Sequence, residues 1–138
     1  MIDDGCEAEY RRTVARLLAA IDPRHIVWIS LGALRFMPDL KGVVQGRFPQ
    51  SKIVYGEFIT GLDGKMRYFK PLRMKIYRAI AQAIRAHAPD VCLYFCMEDD
   101  EVWLDALGFR PADRGGLARM LDEAAVRQCG LNAGVRRR

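Results

Sequence analysis

The stretch YGEFITGLDGKMRYFKPLR, residues 55–73, predicts a β-hairpin that runs directly into a helix. Asp63-Gly64 lies between two short runs of β-branched and aromatic residues. This is a strong hairpin signal, because glycine accepts the positive φ of a tight turn. Pro71 suits the first turn of a helix, since its φ is fixed and its missing N–H costs nothing there. The predicted hairpin spans residues 52–70.

The composition suits one domain or part of a larger one, with 138 residues and a hydrophobic fraction of 51%. Net charge is +5, but Arg136–Arg138 supply much of it, so the body of the chain is only weakly basic. No apolar run approaches the roughly 20 residues of a membrane span. The cysteines show no framework of close pairs and no signal peptide precedes them, so we expect reduced thiols in a cytoplasmic protein.

Apolar periodicity predicts an α/β fold around the hairpin, because strands alternate with amphipathic helices. The segment ALRFM, residues 33–37, is predicted to be a loop. The predicted order is helix, strand, helix, hairpin, helix, strand, helix, helix, over residues 7–21, 25–32, 38–48, 52–70, 71–87, 91–97, 98–107 and 117–129.

Two predicted strands, HIVWISLG at 25–32 and VCLYFCM at 91–97, are near-continuous apolar runs. Such runs are typical of parallel strands covered on both faces by helices. Two strands are too few for a free-standing sheet of that kind. Residues 1–138 are therefore expected to be a single domain or a fragment, with a structured segment at 7–129 and a basic tail at 130–138. Both tryptophans, Trp28 and Trp103, are predicted to lie in the core.

Apolar residues recur at helical spacing in two of the predicted helices. In the helix over 38–48, the apolar positions are Leu40, Val43, Val44 and Phe48. In the helix after the hairpin, Arg73 is predicted to lie off the buried face, because the apolar residues repeat at other positions.

The return strand of the hairpin is the first candidate site. It carries Lys65, Arg67, Tyr68 and Lys70, which alternate with apolar positions. Cationic side chains can contact phosphates and aromatic rings can stack on bases, so this strand favours nucleic-acid binding. The alternative is a solvated edge hairpin, in which cationic residues prevent edge-to-edge pairing.

Polar side chains also follow the two apolar strands. Arg35 comes soon after the first and Glu98 after the second, at the strand ends where barrel folds place ligands. The alternatives are an ordinary loop arginine and a carboxylate that caps the next helix. Cys92 and Cys96 share a strand face. We interpret them as core thiols, since no further ligand has a supporting spacing, and no metal site or catalytic residue is predicted.

Three segments carry a family resemblance: VWISLGALRFMPDLK at 27–41, RFPQSKIVYGEFITGLDGKMRYFKPLR at 47–73 and YFCMEDDEVW at 94–103. Together they resemble the C-terminal part of spore photoproduct lyase and its relatives, which are radical S-adenosylmethionine enzymes that repair a thymine-dimer lesion in DNA. The resemblance implies the C-terminal part of a partial (β/α) barrel, with a β-hairpin inserted beside the damaged bases. Arg67 and Tyr68 match the Arg-Tyr pair that the family places at the lesion.

The resemblance therefore implies damaged duplex DNA as the partner. The implied DNA-binding residues are Lys65, Arg67, Tyr68, Lys70, Arg73 and Arg35. In the intact family enzyme, a [4Fe–4S] cluster and S-adenosylmethionine are the cofactors.

One family motif is missing. The cluster is held by cysteines spaced C-x₃-C-x₂-C, and after Cys92 and Cys96 the third cysteine would fall at Asp99. This implies that the chain alone binds no cofactor and is inactive. It is expected to be a truncated product, or half of a split enzyme whose cluster-binding half is a separate chain. The alternatives are a non-catalytic nucleic-acid-binding or accessory module, and the remnant of a disrupted gene.

Overall fold

The computed structural model describes residues 5–130, so that the tail predicted at 130–138 lies outside it except for Gly130. Within that range the elements follow the predicted order, with one added strand. The helices are α1 Cys6–Ala20, α2 Leu40–Arg47, α3 Lys70–His87, α4 Asp100–Leu107 and α5 Leu117–Cys129. The strands are β1 Trp28–Leu31, β2 Arg35–Phe36, β3 Phe58–Thr60, β4 Met66–Tyr68 and β5 Cys92–Phe95. Pro23–His25 and Pro111–Arg114 are 3₁₀-helices.

The predicted parallel pair is present, with β1 beside β5 in a register that joins Trp28 to Cys92 and Leu31 to Phe95. Helix α3 packs against this pair and contributes to two core clusters. One cluster joins it to α1 and Leu93, and the other joins it to Phe95, α4 and α5. The mixed α/β class is thus confirmed, whereas the partial barrel stays a proposal.

Strand β1 is less covered than its sequence predicts. Trp28 is 44% exposed, so the prediction that it lies in the core is wrong, while Trp103 is buried as expected. Ser30 is also exposed, and β1 has a partner on only one edge within residues 5–130. The apolar run at 25–32 predicted that helices cover both faces of this strand, but the described elements cover only one face of β1.

The hairpin strands belong to a three-stranded antiparallel sheet with the order β2-β4-β3. Phe36, Phe58 and Tyr68 pack together, with the Phe58 ring centroid 5.0 Å from that of Phe36 in an edge-to-face arrangement and 4.3 Å from that of Tyr68. The segment predicted to be a loop, residues 33–37, instead contains β2. A strand of two residues is too short to show an alternating pattern in the sequence. Residues 52–57 are not strand, and Lys70 is the first residue of α3, so both strands are shorter than predicted.

Helix α2 also departs from its sequence pattern. No residue of α2 is buried, and Leu40, Val43 and Phe48 are exposed, so its apolar positions do not form a buried face. The amphipathic pattern is present, but no described element covers it. None of the helices within residues 5–130 is long and apolar enough to cross a membrane.

Candidate functional site

A buried polar cluster lies beyond the carboxyl ends of β1 and β5 and consists of Arg35, Arg73, Tyr77 and Glu98. We call it the carboxyl-end cluster. Glu98 is its centre, with a side chain only 1% exposed. Its Oε1 accepts hydrogen bonds from Arg35 Nη2 at 2.9 Å, Arg73 Nε at 3.1 Å and Tyr77 Oη at 3.1 Å. Its Oε2 accepts one from Arg73 Nη2 at 3.0 Å.

Arg73 is buried, which contradicts the prediction that it lies off the buried face of its helix. It sits one turn into α3, where its guanidinium forms a two-pronged ion pair with Glu98 and also donates to the Tyr68 carbonyl oxygen. A buried guanidinium needs such partners, because an unpaired buried charge is strongly unfavourable. Arg73 is therefore not presented to solvent or to DNA.

Arg35 ties the loop after β5 to the same carboxylate. Besides Glu98, its Nη2 donates to the carbonyl oxygens of Cys96 at 3.1 Å and Met97 at 2.6 Å. Met97 has a φ of 57°, a left-handed conformation that non-glycine residues seldom adopt. The contacts to Arg35 hold this unusual turn in place.

Tyr77 completes the cluster as a neutral donor. Its hydroxyl donates to Glu98 and accepts a hydrogen bond from the Ala33 backbone N–H at 2.6 Å. Burial raises the pKa of Tyr77, and the charge of Glu98 raises it further. The phenol consequently stays protonated and links the loop after β1 to the carboxylate.

The sequence left open whether Arg35 and Glu98 line a ligand site, or are a loop arginine and a helix-capping carboxylate. In the structure they pair with each other. The carboxylate accepts four hydrogen bonds from protein groups, three at Oε1 and one at Oε2. The cap of α4 is instead Asp99, which accepts from the Val102 N–H at 3.2 Å. Glu98 thus joins the two sheets, and its contacts with Arg35, Arg73 and Tyr77 indicate a structural role.

The two residues matched to the family's Arg-Tyr pair have different surroundings. Tyr68 is 4% exposed, and its hydroxyl donates to the Ile53 carbonyl oxygen at 3.3 Å, so it packs inside the sheet. Arg67 pairs with Asp63, and a Cβ added at Gly61 would lie 2.6 Å from its guanidinium carbon. A side chain at position 61 would therefore displace the Arg67 guanidinium from this place.

The two predicted lysines differ as well. Lys70 pairs with Asp99 at 2.9 Å and with Glu101, and these hydrogen bonds raise the pKa of the Lys70 ammonium. Among residues 5–130, no carboxylate pairs with Lys65. Of the six predicted DNA-binding residues, Arg35 and Arg73 thus meet in a buried cluster and Tyr68 joins the core. Lys65 and part of Arg67 remain at the surface.

Sequence reasoning missed Leu62, which is the most exposed large apolar residue in the described part of the chain. It lies at the tip of the β3–β4 hairpin, between Gly61 and Asp63. The signal was present in the sequence, since a leucine inside a glycine-flanked turn has no strand face on which to be buried.

The cysteines do not fit an iron–sulfur cluster. Cys92 begins β5 and is half-buried, and burial raises the pKa of its thiol. Cys96 follows the other end of β5 and is exposed, so the prediction that it is a core thiol is wrong. Four extended residues span about 13 Å, which keeps the two thiols apart. Within residues 5–130, no group of three or more His, Cys, Asp or Glu side chains is arranged to hold a metal.

Comparison with known proteins gives no family assignment. No family model matches the chain, and no curated protein or solved structure matches it either. The resemblance to spore photoproduct lyase rests on the three quoted segments alone.

Proposed function

We propose that this chain is the C-terminal segment of a spore photoproduct lyase-like enzyme of the cytoplasm that repairs thymine-dimer lesions. It would supply part of the barrel wall and the hairpin that faces the lesion. The observation that carries the proposal is the unpaired edge of β1, beside a parallel pair of only two strands within residues 5–130. A preceding barrel strand from the cluster-binding half would pair with that edge.

Apolar side chains near β1 are exposed, which favours a further chain segment that covers them. Trp28 on β1 and Leu17 and Ile21 on α1 are all more than 40% exposed. A groove of about 240 Å³ lies between α1, β1 and α3 and is lined largely by apolar groups. Soluble monomers rarely expose large contiguous apolar patches, so such a surface favours burial against a partner. The occupant we propose is the chain segment that carries the C-x₃-C-x₂-C motif.

The hairpin tip favours contact with distorted DNA. Proteins that bend DNA often insert apolar side chains between base steps, and cationic neighbours hold the phosphates. Leu62 and Lys65 offer this combination at the tip, with Arg67 behind them. The proposed contact thus shifts from Tyr68 toward Leu62, because Tyr68 is enclosed in the sheet.

In this proposal the chemistry belongs to the cluster-binding half of the enzyme, which carries the C-x₃-C-x₂-C motif. In the family, the cofactors supply a 5′-deoxyadenosyl radical that abstracts hydrogen from the lesion, after which the bond between the thymines breaks. The residues of this chain would orient the hairpin and close the barrel wall. Alone, the chain is expected to bind DNA without lyase activity.

The DNA contact is tested with Leu62→Ser combined with Lys65→Gln, using a duplex that contains the thymine-dimer lesion. We expect the affinity to fall by about tenfold or more, because the variant removes both the apolar side chain that would enter a base step and a cationic contact to phosphate. The matched control is Leu40→Ser with Lys41→Gln on α2, where an exposed leucine also stands beside a lysine. Equal losses in both variants would contradict the hairpin assignment.

The enzyme assignment is tested by complementation. The chain would be coexpressed with the cluster-binding half of a spore photoproduct lyase, and lyase activity measured under anaerobic conditions. We expect activity that Trp28→Glu abolishes and that Leu104→Glu, at a comparably exposed site on α4, leaves intact. DNA binding by a soluble monomer without complementation would instead favour the non-catalytic nucleic-acid-binding module.

A further inference from the structure

A second polar site lies at the amino end of β5, away from the carboxyl-end cluster. It is a cavity of about 260 Å³ between the end of α3, β5, the 3₁₀-helix Pro111–Arg114 and α5. Three of its lining side chains are the arginines Arg85, Arg114 and Arg127. We call this site the amino-end cavity.

Its arginines lack carboxylate partners. Within residues 5–130, no ion pair involves Arg85, Arg114 or Arg127. Two carboxylates line the cavity. Arg119 engages Glu123, with a separation of 2.6 Å, and Asp90, which forms no ion pair among the described residues, acts on Arg85 only through its charge. Three arginines therefore face one carboxylate that no other cation of the described residues engages. By contrast, seven arginines elsewhere in the described chain do form ion pairs: Arg24, Arg35, Arg67, Arg73, Arg78, Arg110 and Arg119.

The protein holds two of these cations in place without neutralising them. Arg85 Nη1 donates to the carbonyl oxygens of Pro89, at 2.8 Å, and Val91. The guanidinium carbon of Arg114 lies 3.6 Å from the centre of the Phe109 ring. Stacking of this kind occupies the face of the guanidinium and leaves its N–H edge for another acceptor.

The charges that act on Arg85 come from other residues of the cavity. Burial is the largest influence and lowers the pKa of Arg85; the charges of Cys92 and Asp90 raise this pKa, and the nearby charge of Arg114 lowers it. Cations held together without a matching carboxylate make a favourable site for an anion. Guanidinium groups bind phosphate oxygens through paired N–H donors, which suits a phosphate group better than a spherical ion.

We infer that the amino-end cavity binds a small molecule that carries a phosphate group. Pockets for drug-sized ligands usually measure about 300–1,000 Å³, so this cavity suits a phosphate with a short organic portion. Leu93, Phe109 and Met120 line the cavity as well and offer apolar contact for that portion. The inference is independent of the proposed function, since it uses neither the hairpin nor the edge of β1.

The test is calorimetric titration of the full chain with inorganic phosphate and with glycerol 3-phosphate. Arg114→Gln with Arg127→Gln should weaken glycerol 3-phosphate binding by about tenfold or more, equivalent to about 1.4 kcal/mol. The control is Arg12→Gln with Arg16→Gln on α1, two exposed arginines whose loss changes the net charge equally. Binding by the control should stay within about twofold of the original chain.

A second measurement locates the site, because Cys92 lines the cavity. Alkylation of Cys92 by iodoacetamide, followed by mass spectrometry of its peptide, should slow when glycerol 3-phosphate is added. The variant with both cavity arginines replaced should lose this protection, while its circular dichroism spectrum stays unchanged.

Three outcomes would overturn the inference: no binding of either phosphate compound, equal weakening in the control, or no protection of Cys92. A duplex DNA titration separates the two sources of phosphate. If the cavity variant lost DNA affinity while glycerol 3-phosphate failed to bind, the arginines would belong to a DNA surface and the inference would fail.

Discussion

The two ends of β5 carry arginines in opposite electrostatic situations. At the carboxyl end, Arg35 and Arg73 are buried against Glu98. At the amino end, the arginines of the cavity face solvent without such a partner within residues 5–130. The difference indicates two purposes for one residue type. A guanidinium with an internal carboxylate holds elements together, whereas one without it remains available to an external anion.

The largest expected effect comes from removing the internal carboxylate. Glu98→Ala should lower the free energy of unfolding by about 3–5 kcal/mol, because it leaves two buried guanidiniums without their counter-charge. Urea denaturation measures the change. Glu101→Ala, which removes an exposed partner of Lys70, should cost less than about 1 kcal/mol. Similar costs for the two variants would show that the carboxyl-end cluster does not anchor the fold.

A smaller effect is expected at Tyr77. Tyr77→Phe should cost about 1–2 kcal/mol near neutral pH, because Glu98 and the Ala33 N–H each lose a hydrogen-bond partner. Urea denaturation of both proteins measures this difference.

The same substitution should change the pH dependence. Since the pKa of Tyr77 is raised in the folded state, the unfolded chain ionises first, near the ordinary value of about 10. The folded state then holds more protons, so this group's contribution to stability is present below about pH 10 and is lost above it. The cost of Tyr77→Phe should shrink between about pH 9 and 11. A cost that stays constant over this range would contradict the assignment.

The smallest effect is expected in the amino-end cavity. Arg114→Gln without ligand should lower the free energy of unfolding by no more than about 1 kcal/mol, since it removes an exposed cation–π contact with Phe109 but breaks no ion pair. Added glycerol 3-phosphate should raise the melting temperature of the original chain more than that of the variant. A loss as large as that of Glu98→Ala would mean that both arginine groups serve the fold.

Much of the fold could be predicted from local pattern. The order of elements, the parallel β1–β5 pair and the helix at 117–129 follow from apolar periodicity and from glycine and proline positions. The strand β2 could not be predicted, because two residues carry no period and depend on pairing with β4. Whether Trp28 and α2 are exposed depends on which other elements of the fold cover them. A local sequence pattern does not contain that information.

The sites were predicted only in part. Arg35 and Glu98 were recognised as strand-end residues, but not that they pair with each other. Arg73 appeared to lie off the buried face, because the apolar stripe of α3 gives no hint of a carboxylate 25 residues away. The amino-end cavity had no local signal at all, since its three arginines come from three separate elements.

The junction between the hairpin and α3 has a mechanical consequence. A single residue, Phe69, separates β4 from α3, and its N–H bonds to the Glu57 carbonyl oxygen at 2.9 Å. Arg73, one turn into the helix, donates a hydrogen bond to the Tyr68 carbonyl oxygen. The hairpin therefore has no hinge at this end. For the proposed contact of a duplex with Leu62, the deformation would have to occur in the nucleic acid, so stiff DNA sequences should be bound less well than flexible or damaged ones.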